Sequence, residues 1–271
     1  MRDADQVTGP AVDPPLAPAD DLAAYCANPA AWPPGWSVSY RAAADSTQDL
    51  VRAAAAAGAR HGTVYVADWQ RAGRGRRGRA WEAPPGTSLL LSILLRDADL
   101  LPFAQTALCT LGLCRVIERL GLAPRIKWPN DVLLGDRKVA GVLTERVSGG
   151  GPPYQVVGVG LNVNYGAARD ALPDFATALD WEAGRPVARG ALLADLLGEL
   201  APLLAAPRAA WEARYYAEWL ERLWRRRQTV RLALGEETLA GQVEGVAIDG
   251  ALLLRLPDGA LRRITVGEVL L

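Results

Sequence analysis

QRAGRGRRGRAW, residues 70–81, is the stretch on which the fold assignment turns. Its glycines at 73, 75 and 78 satisfy the dinucleotide fingerprint GxGxxG, and it follows a strand-like run, TVYVADW at 63–69. Even the acid expected about 20 residues further on is present, as Asp97. Taken at face value these features describe a doubly wound nucleotide-binding fold. One requirement fails. The fingerprint needs a helix to open at the third glycine, so that its N-terminus meets the pyrophosphate. Here Gly78 leads into RAWEAPPG, and two prolines block that helix. The positions between the glycines are arginines, where close helix–strand packing wants small or apolar residues. An RNA-binding Arg/Gly tract fits less well, because such tracts repeat within disorder and this one occurs once, between two strong strands.

What remains is a structured loop that wraps an anion. Residues 73–79 hold four arginines and three glycines. Glycine lets the backbone approach a ligand closely, and arginine supplies a fixed fork of donors suited to carboxylate and phosphate. Working outward, the 271 residues suffice for one large and one small domain. Net charge is zero, with 30 basic and 30 acidic residues, which argues against a general nucleic-acid coat protein. Cys26, Cys109 and Cys114 follow no metal-ligand spacing, and an odd count suits a reducing cytoplasm. The N-terminal MRDADQ lacks the order of a signal peptide. The apolar run at 88–95 is far shorter than the roughly 20 residues a bilayer requires, so no membrane segment is expected.

In chain order, residues 1–35 are rich in Ala, Pro and Asp and read as an irregular arm, with Trp32 and Trp36 available to pin its end. A short strand starts at Val38. Ser46 or Thr47 caps a helix that stops at Gly58. SLLLSILL at 88–95 reads as a strand buried on both faces, and residues 102–121 as a long apolar helix containing Cys109 and Cys114. Residues 125–145 read as strand, Pro-Asn-Asp turn, strand, Gly135-Asp136 hairpin and strand. YQVVGVGLNV at 154–163 is a further strand, with Gly158 and Gly160 marking close approach. Helical patterns return at 190–204 and 209–226. From Thr229 the character changes to short alternating strands separated by turns, a small β-barrel of about 45 residues. The run Trp224–Arg227 reads first as a solvated face, and it is also the expected hinge. The domains are thus 1–35, 36–226 and 227–271.

The basic residues comprise 28 arginines and only two lysines, Lys127 and Lys138. In so arginine-rich a chain, positions that stay lysine are ones where a compact point charge is needed. His61 is the only histidine, which removes His-based triads and multi-His metal sites. Asn130, Asn162 and Asn164 are three of only four asparagines, and an amide can read the edge of an adenine. Convergent Arg, Lys and Asn fit phosphoryl or nucleotidyl chemistry by charge stabilisation.

The order STQ (46–48), WQRAGRGRRGRAW (69–81), KWPNDVLL (127–134), RKVAGVLTE (137–145) and VVGVGLNVN (156–164), followed by a small β-barrel, resembles the biotin protein ligases. The resemblance runs from about Ser39 to the C-terminus. It implies an α/β (α+β) catalytic domain with a mixed sheet, related to class II aminoacyl-tRNA synthetases, and an SH3-like C-terminal domain. Some members carry an N-terminal winged helix that represses biotin genes. The first 35 residues here are too short and Pro-rich for one, so the resemblance implies the monofunctional type, with no DNA partner.

The implied reaction makes biotinyl-5′-AMP from biotin and ATP with Mg²⁺, then transfers biotin to a lysine of the biotin carboxyl carrier domain of acetyl-CoA, acyl-CoA or pyruvate carboxylase. By the resemblance, Ser46, Thr47, Gln48, Gln70 and Gly141 contact biotin. Arg74, Gly75 and Arg76 lie along biotin and the phosphate on a loop that closes over the intermediate. Lys138 meets the carboxylate and phosphate oxygens, making Lys138, Arg76 and Arg74 the catalytic group. Lys127, Trp128, Asn130, Asp131 and Asn162 form the nucleotide side. The family usually has Ser-Thr-Asn where this chain has Ser46-Thr47-Gln48. Two alternatives are a lipoate or octanoate ligase or transferase of the same fold, and a non-catalytic RNA-binding module.

Overall fold

The computed structural model describes residues 21–96, 101–149 and 151–270. Residues 1–20, most of the expected arm, and Asp97 lie outside that range. Helix α1 (Leu22–Cys26) leads through a 3₁₀ turn (Pro29–Ala31) into β1 (Ser37–Ala44). Helix α2 (Thr47–Ala56) returns the chain to β2 (Thr63–Gln70), which lies parallel to β1. Then come β3 (Ser88–Arg96), α3 (Pro102–Arg119), β4 (Pro124–Lys127), β5 (Asp131–Leu134), β6 (Arg137–Val147) and β7 (Tyr154–Asn162). The sheet order is β1-β2-β3-β7-β6-β5-β4, and every neighbouring pair except β1/β2 is antiparallel. The sheet is therefore mixed, as the sequence predicts.

Burial explains the segment choices. Residues Ser88–Leu95 of β3 are all buried, with α5 and α2 both packing on the strand. Helix α3 is mostly buried between the sheet and α5 (Arg189–Leu204), with Glu118 and Arg119 exposed at its C-terminal end. Gly112 permits that closeness, since a Cβ there would stand 2.6 Å from Leu200. Cys109 and Cys114 are buried core residues, and burial pushes the Cys109 thiol up to about 12, far from a nucleophile's range.

Two expectations change. The arm is not irregular throughout. Leu22 of α1 is fully buried, and Asp21 accepts a hydrogen bond from Gly190 N at 2.7 Å, serving the otherwise open N-terminus of α5. Beyond α4 (Leu179–Ala183) and α5, the helical run at 208–221 contains a π turn at Trp211–Tyr215 and stops at Glu221, short of the expected Arg226. The expected hinge is instead bound to the body. Trp224 N donates to Ile126 O at 2.8 Å, and Trp224 Nε1 donates to Asp136 at 2.9 Å. Arg225 and Arg227 take left-handed φ values of 54° and 64° to turn the chain outward.

The C-terminal segment forms β8 (Thr229–Leu234), β9 (Glu237–Val246), β10 (Leu252–Arg255), β11 (Leu261–Ile264) and β12 (Glu268–Val269). They make one antiparallel sheet, ordered β11-β10-β9-β8-β12. The two-residue β12 is too short to read from alternation. This domain docks by its 247–250 turn, where Trp128 Nε1 donates to Gly250 O at 2.9 Å and Phe103 packs on the Gly250 backbone.

Arg189 ties α5 to β2 and β3. It is 1% exposed, donates to Ser88 O at 2.8 Å and pairs with Asp68 at 2.5 Å. Arg189→Met is expected to cost about 3 kcal/mol, because it leaves Asp68 without its buried partner. Chemical denaturation measures this, and an unchanged midpoint would contradict it.

Candidate functional site

Every site residue predicted from sequence except Asn164 lines one cavity of about 470 Å³, floored by β3, β6 and β7. Its inner end is polar. Ser46 is the N-cap of α2 and accepts from Gln48 N, so its capping role is real and coexists with its place on the wall. Thr47 donates N–H and Oγ1–H to Gln70 Oε1 at 2.7 and 3.0 Å, and its hydroxyl also meets Ser92 Oγ at 2.8 Å. Gln48, 3% exposed, reaches across Gly158 and donates to Leu143 O at 3.3 Å. The longer amide of Gln48 thus lies over a strand position that has no side chain of its own.

The Arg/Gly stretch is a small hairpin. Gly75 N donates to Arg79 O at 2.7 Å and Trp81 N to Gly73 O at 2.9 Å. Gly73 has no alternative, since a Cβ would lie 2.3 Å from Trp81 O. After Gly78 the chain is extended, which agrees with rejecting a dinucleotide helix. Its arginines separate by partner. Arg74 pairs with Asp49 of α2 at 2.5 Å. Arg79 donates twice to Glu268 of β12, at 2.9 and 2.8 Å. Arg76 donates to the neutral Asn130 Oδ1 at 3.2 Å. Burial, then the neighbouring Arg77, pushes the Arg76 pKa down. Arg76 is half-buried and donates to a neutral amide, with the carboxylates of Asp131 and Glu268 acting on it only through charge, so its guanidinium can still take up an anion.

The opposite wall carries both lysines. A register shift between Val132 and Leu133 sets Lys138 opposite Leu133. Lys138 Nζ lies 2.8 Å from Asp131 and 5.3 Å from the Trp81 ring centroid. Its backbone is bonded on both sides to the 175–177 segment. Lys127 is 6% exposed, and burial is the main force lowering its pKa, opposed by Asp131 and Glu268 and reinforced by Lys138. Burial pushes Glu268 upward, but the Arg79 hydrogen bonds and charge, with Lys127, hold it below the ordinary carboxylate range.

Asn130 bridges the clamp to β6, accepting from Arg76 and donating to Val142 O at 2.8 Å. Asn162 donates to Thr177 O at 3.0 Å, which leaves one amide hydrogen toward the cavity. Asn164 does not join this wall. Its amide closes on the Val187 backbone in both directions, at 2.8 and 2.9 Å.

Sequence reading missed Trp81 and Glu268 as wall residues. Gly160 carried a signal for Trp81, because a Cβ there would stand 2.5 Å from the indole. Glu268 had none; it arrives from a domain 189 positions further along than Arg79.

Comparison with known proteins follows the same division. Residues 40–162 match the Biotin/lipoate A/B protein ligase family, and residues 228–271 match the Biotin protein ligase C terminal domain. The biotin--[acetyl-CoA-carboxylase] ligase of Paracoccus denitrificans is 37% identical over 214 residues, covering 73% of this chain and 86% of that protein. The bifunctional ligase/repressor BirA of Escherichia coli is 33% identical over 214 residues, covering 77% of this chain. The match spans 66%, just under two thirds, of the E. coli protein's length. Among solved structures, the biotin protein ligase of Aquifex aeolicus in complex with biotin and ATP superposes with TM-score 0.73 at 28% identity, over 86% of this chain and 97% of that one.

Proposed function

This chain belongs to the biotin protein ligase family, and we propose that its cavity activates biotin with ATP and passes the biotinyl group to a carrier lysine. The chemistry is biotin ligation rather than lipoate or octanoate transfer. The observation that carries the residue roles is convergence: five separated motifs line one cavity, in which Arg76, Lys127 and Lys138 face a common space.

In the first step a biotin carboxylate oxygen bonds to the α-phosphorus of ATP and the bond to pyrophosphate breaks. Two anions must approach, so cations are needed around both. Ser46, Thr47, Gln48 and Gln70 receive the polar ring of biotin, and Gly141 and the Trp81 face line its chain. Arg76 and Lys138 meet the oxygens of the carboxylate and α-phosphate from opposite walls. Lys127 faces the phosphates, and Trp128, Asn130, Asp131 and Asn162 bound the nucleotide. In the second step the lysine nitrogen bonds to the biotinyl carbonyl carbon, AMP leaves, and the amine proton passes to solvent. The closed clamp keeps water from the anhydride in between.

Among the described residues no three His, Cys, Asp or Glu side chains gather as a metal site. Asp131, a cavity-wall carboxylate beside Lys138, would hold Mg²⁺, an ion that keeps several waters in such sites. When bound, the ion neutralises phosphate charge. The acceptor we favour is the carrier domain of an acetyl-CoA carboxylase, with acyl-CoA and pyruvate carboxylase carriers as further candidates, in the cytoplasm. No single described helix is long and apolar enough to cross a membrane.

Incubation with biotin, ATP, Mg²⁺ and a purified carrier domain tests this reading. The carrier's mass is expected to rise by one biotinyl group at one lysine; an unmodified carrier would refute it. A subsidiary prediction concerns the Trp81 wall. Gly160→Ala is expected to weaken biotin binding about tenfold by calorimetry, the effect of overpacking against the indole. Unaltered affinity would show that the ring is not part of the biotin wall.

A further inference from the structure

We propose that Asp49, which lies outside the cavity wall, is a positioning residue that latches the biotin end of the clamp shut. Asp49 sits in the first turn of α2, directly after Gln48. Its Oδ1 accepts from Arg74 Nη2 at 2.5 Å and from Arg52 Nη1 at 3.0 Å. Arg52 in turn reaches Glu145 of β6 at 2.5 Å. One carboxylate thus joins the clamp, the helix that bears Ser46 to Gln48, and through Arg52 the sheet beneath. The far end of the hairpin is held independently, by Arg79 on Glu268.

This arrangement divides the clamp's labour. Arg74 borders the cavity, but its charge is satisfied outside by Asp49, so it acts as a strut. Arg76 lies between the two anchored ends and keeps its charge for the ligand. A change at Asp49 therefore alters how long the clamp stays closed without altering the groups that touch the reacting atoms. Asp49 is 52% exposed and Arg74 38% exposed at the side chain, so the effect is modest. A pair this open is worth about two- to fivefold in an equilibrium and is screened by salt.

The inference rests on the biotin-ligase reading and is tested with synthetic biotinyl-5′-AMP, whose release is followed by displacement with excess biotin. Wild-type release is expected to quicken as salt rises. Asp49→Asn is expected to release the adenylate about two- to fivefold faster at low salt, with a flattened salt dependence, and Asp49→Glu is expected to restore slow release. A first-turn acid also supports its helix, so thermal melting is followed in parallel; a helix role alone would lower the melting temperature and leave the salt slope intact. Wild-type and Asp49→Asn proteins with the same release rate and salt slope would overturn the latch while leaving the ligase reading standing. If Asp49→Asn does not fold, a wild-type release rate indifferent to salt overturns it equally. A wild-type protein that does not hold the adenylate overturns the ligase reading, and the latch with it.

Discussion

Lys138→Ala is expected to lower the rate of biotinyl-adenylate formation at least about 100-fold, the scale of losing one key transition-state donor. Lys138 is one of two lysines in the chain, and its Nζ sits between Asp131 at 2.8 Å and the Trp81 face. The negative charge that grows on the α-phosphate as the carboxylate arrives has few other compact cations to meet. Its backbone bonds to the 175–177 segment do not depend on the side chain, so the variant should fold. Lys138→Arg is expected to fail as well. A Cβ built on Gly141 would stand 3.0 Å from Nζ, with the indole close behind, so the larger planar guanidinium meets backbone and ring. Single-turnover formation of the adenylate measures both variants. Near-normal rates in Lys138→Ala would remove this lysine from the chemistry.

The second large effect is expected at Arg76. Its guanidinium meets neutral Asn130, whereas Arg74 and Arg79 are bound by carboxylates. Arg76→Gly should therefore leave both clamp anchors in place and remove the charge that holds the intermediate. Hydrogen bonds to a charged group contribute roughly 1.5–3 kcal/mol, so adenylate affinity should fall about ten- to 100-fold. Released adenylate acylates any exposed lysine, and labelling of a bystander protein mixed with enzyme, biotin and ATP should rise accordingly. Bystander labelling equal to that of the wild type would contradict this role for Arg76.

Much of the site was legible in the sequence because its residues are chemically uneven. Two lysines among 28 arginines, a handful of asparagines and one Arg/Gly cluster stand out against their background. The structure brings those from 46 to 162 to one cavity, with Asn164 as the exception. Strands were legible for the same reason that β3 is buried: apolar runs of that length have few alternatives. The anchors of the clamp were not legible. Choosing Glu268 for Arg79, or Asp49 for Arg74, among 30 acids depends on which elements approach, and side-chain type alone does not specify that. The α1 segment failed likewise. Its order comes from Leu22 and Asp21 meeting α5, which begins 168 residues after Asp21. The contacts at the expected hinge were not legible either: Asp136 and the β4 backbone engage Trp224 and Arg225, which a run of arginines does not announce.

Biotin-dependent exchange of labelled pyrophosphate into ATP isolates the activation of biotin from any carrier. Exchange is expected to require biotin, to be absent with lipoate or octanoate, and to be lost in Lys138→Ala. Exchange supported equally by lipoate, or no exchange with biotin at all, would contradict the biotin-ligase reading.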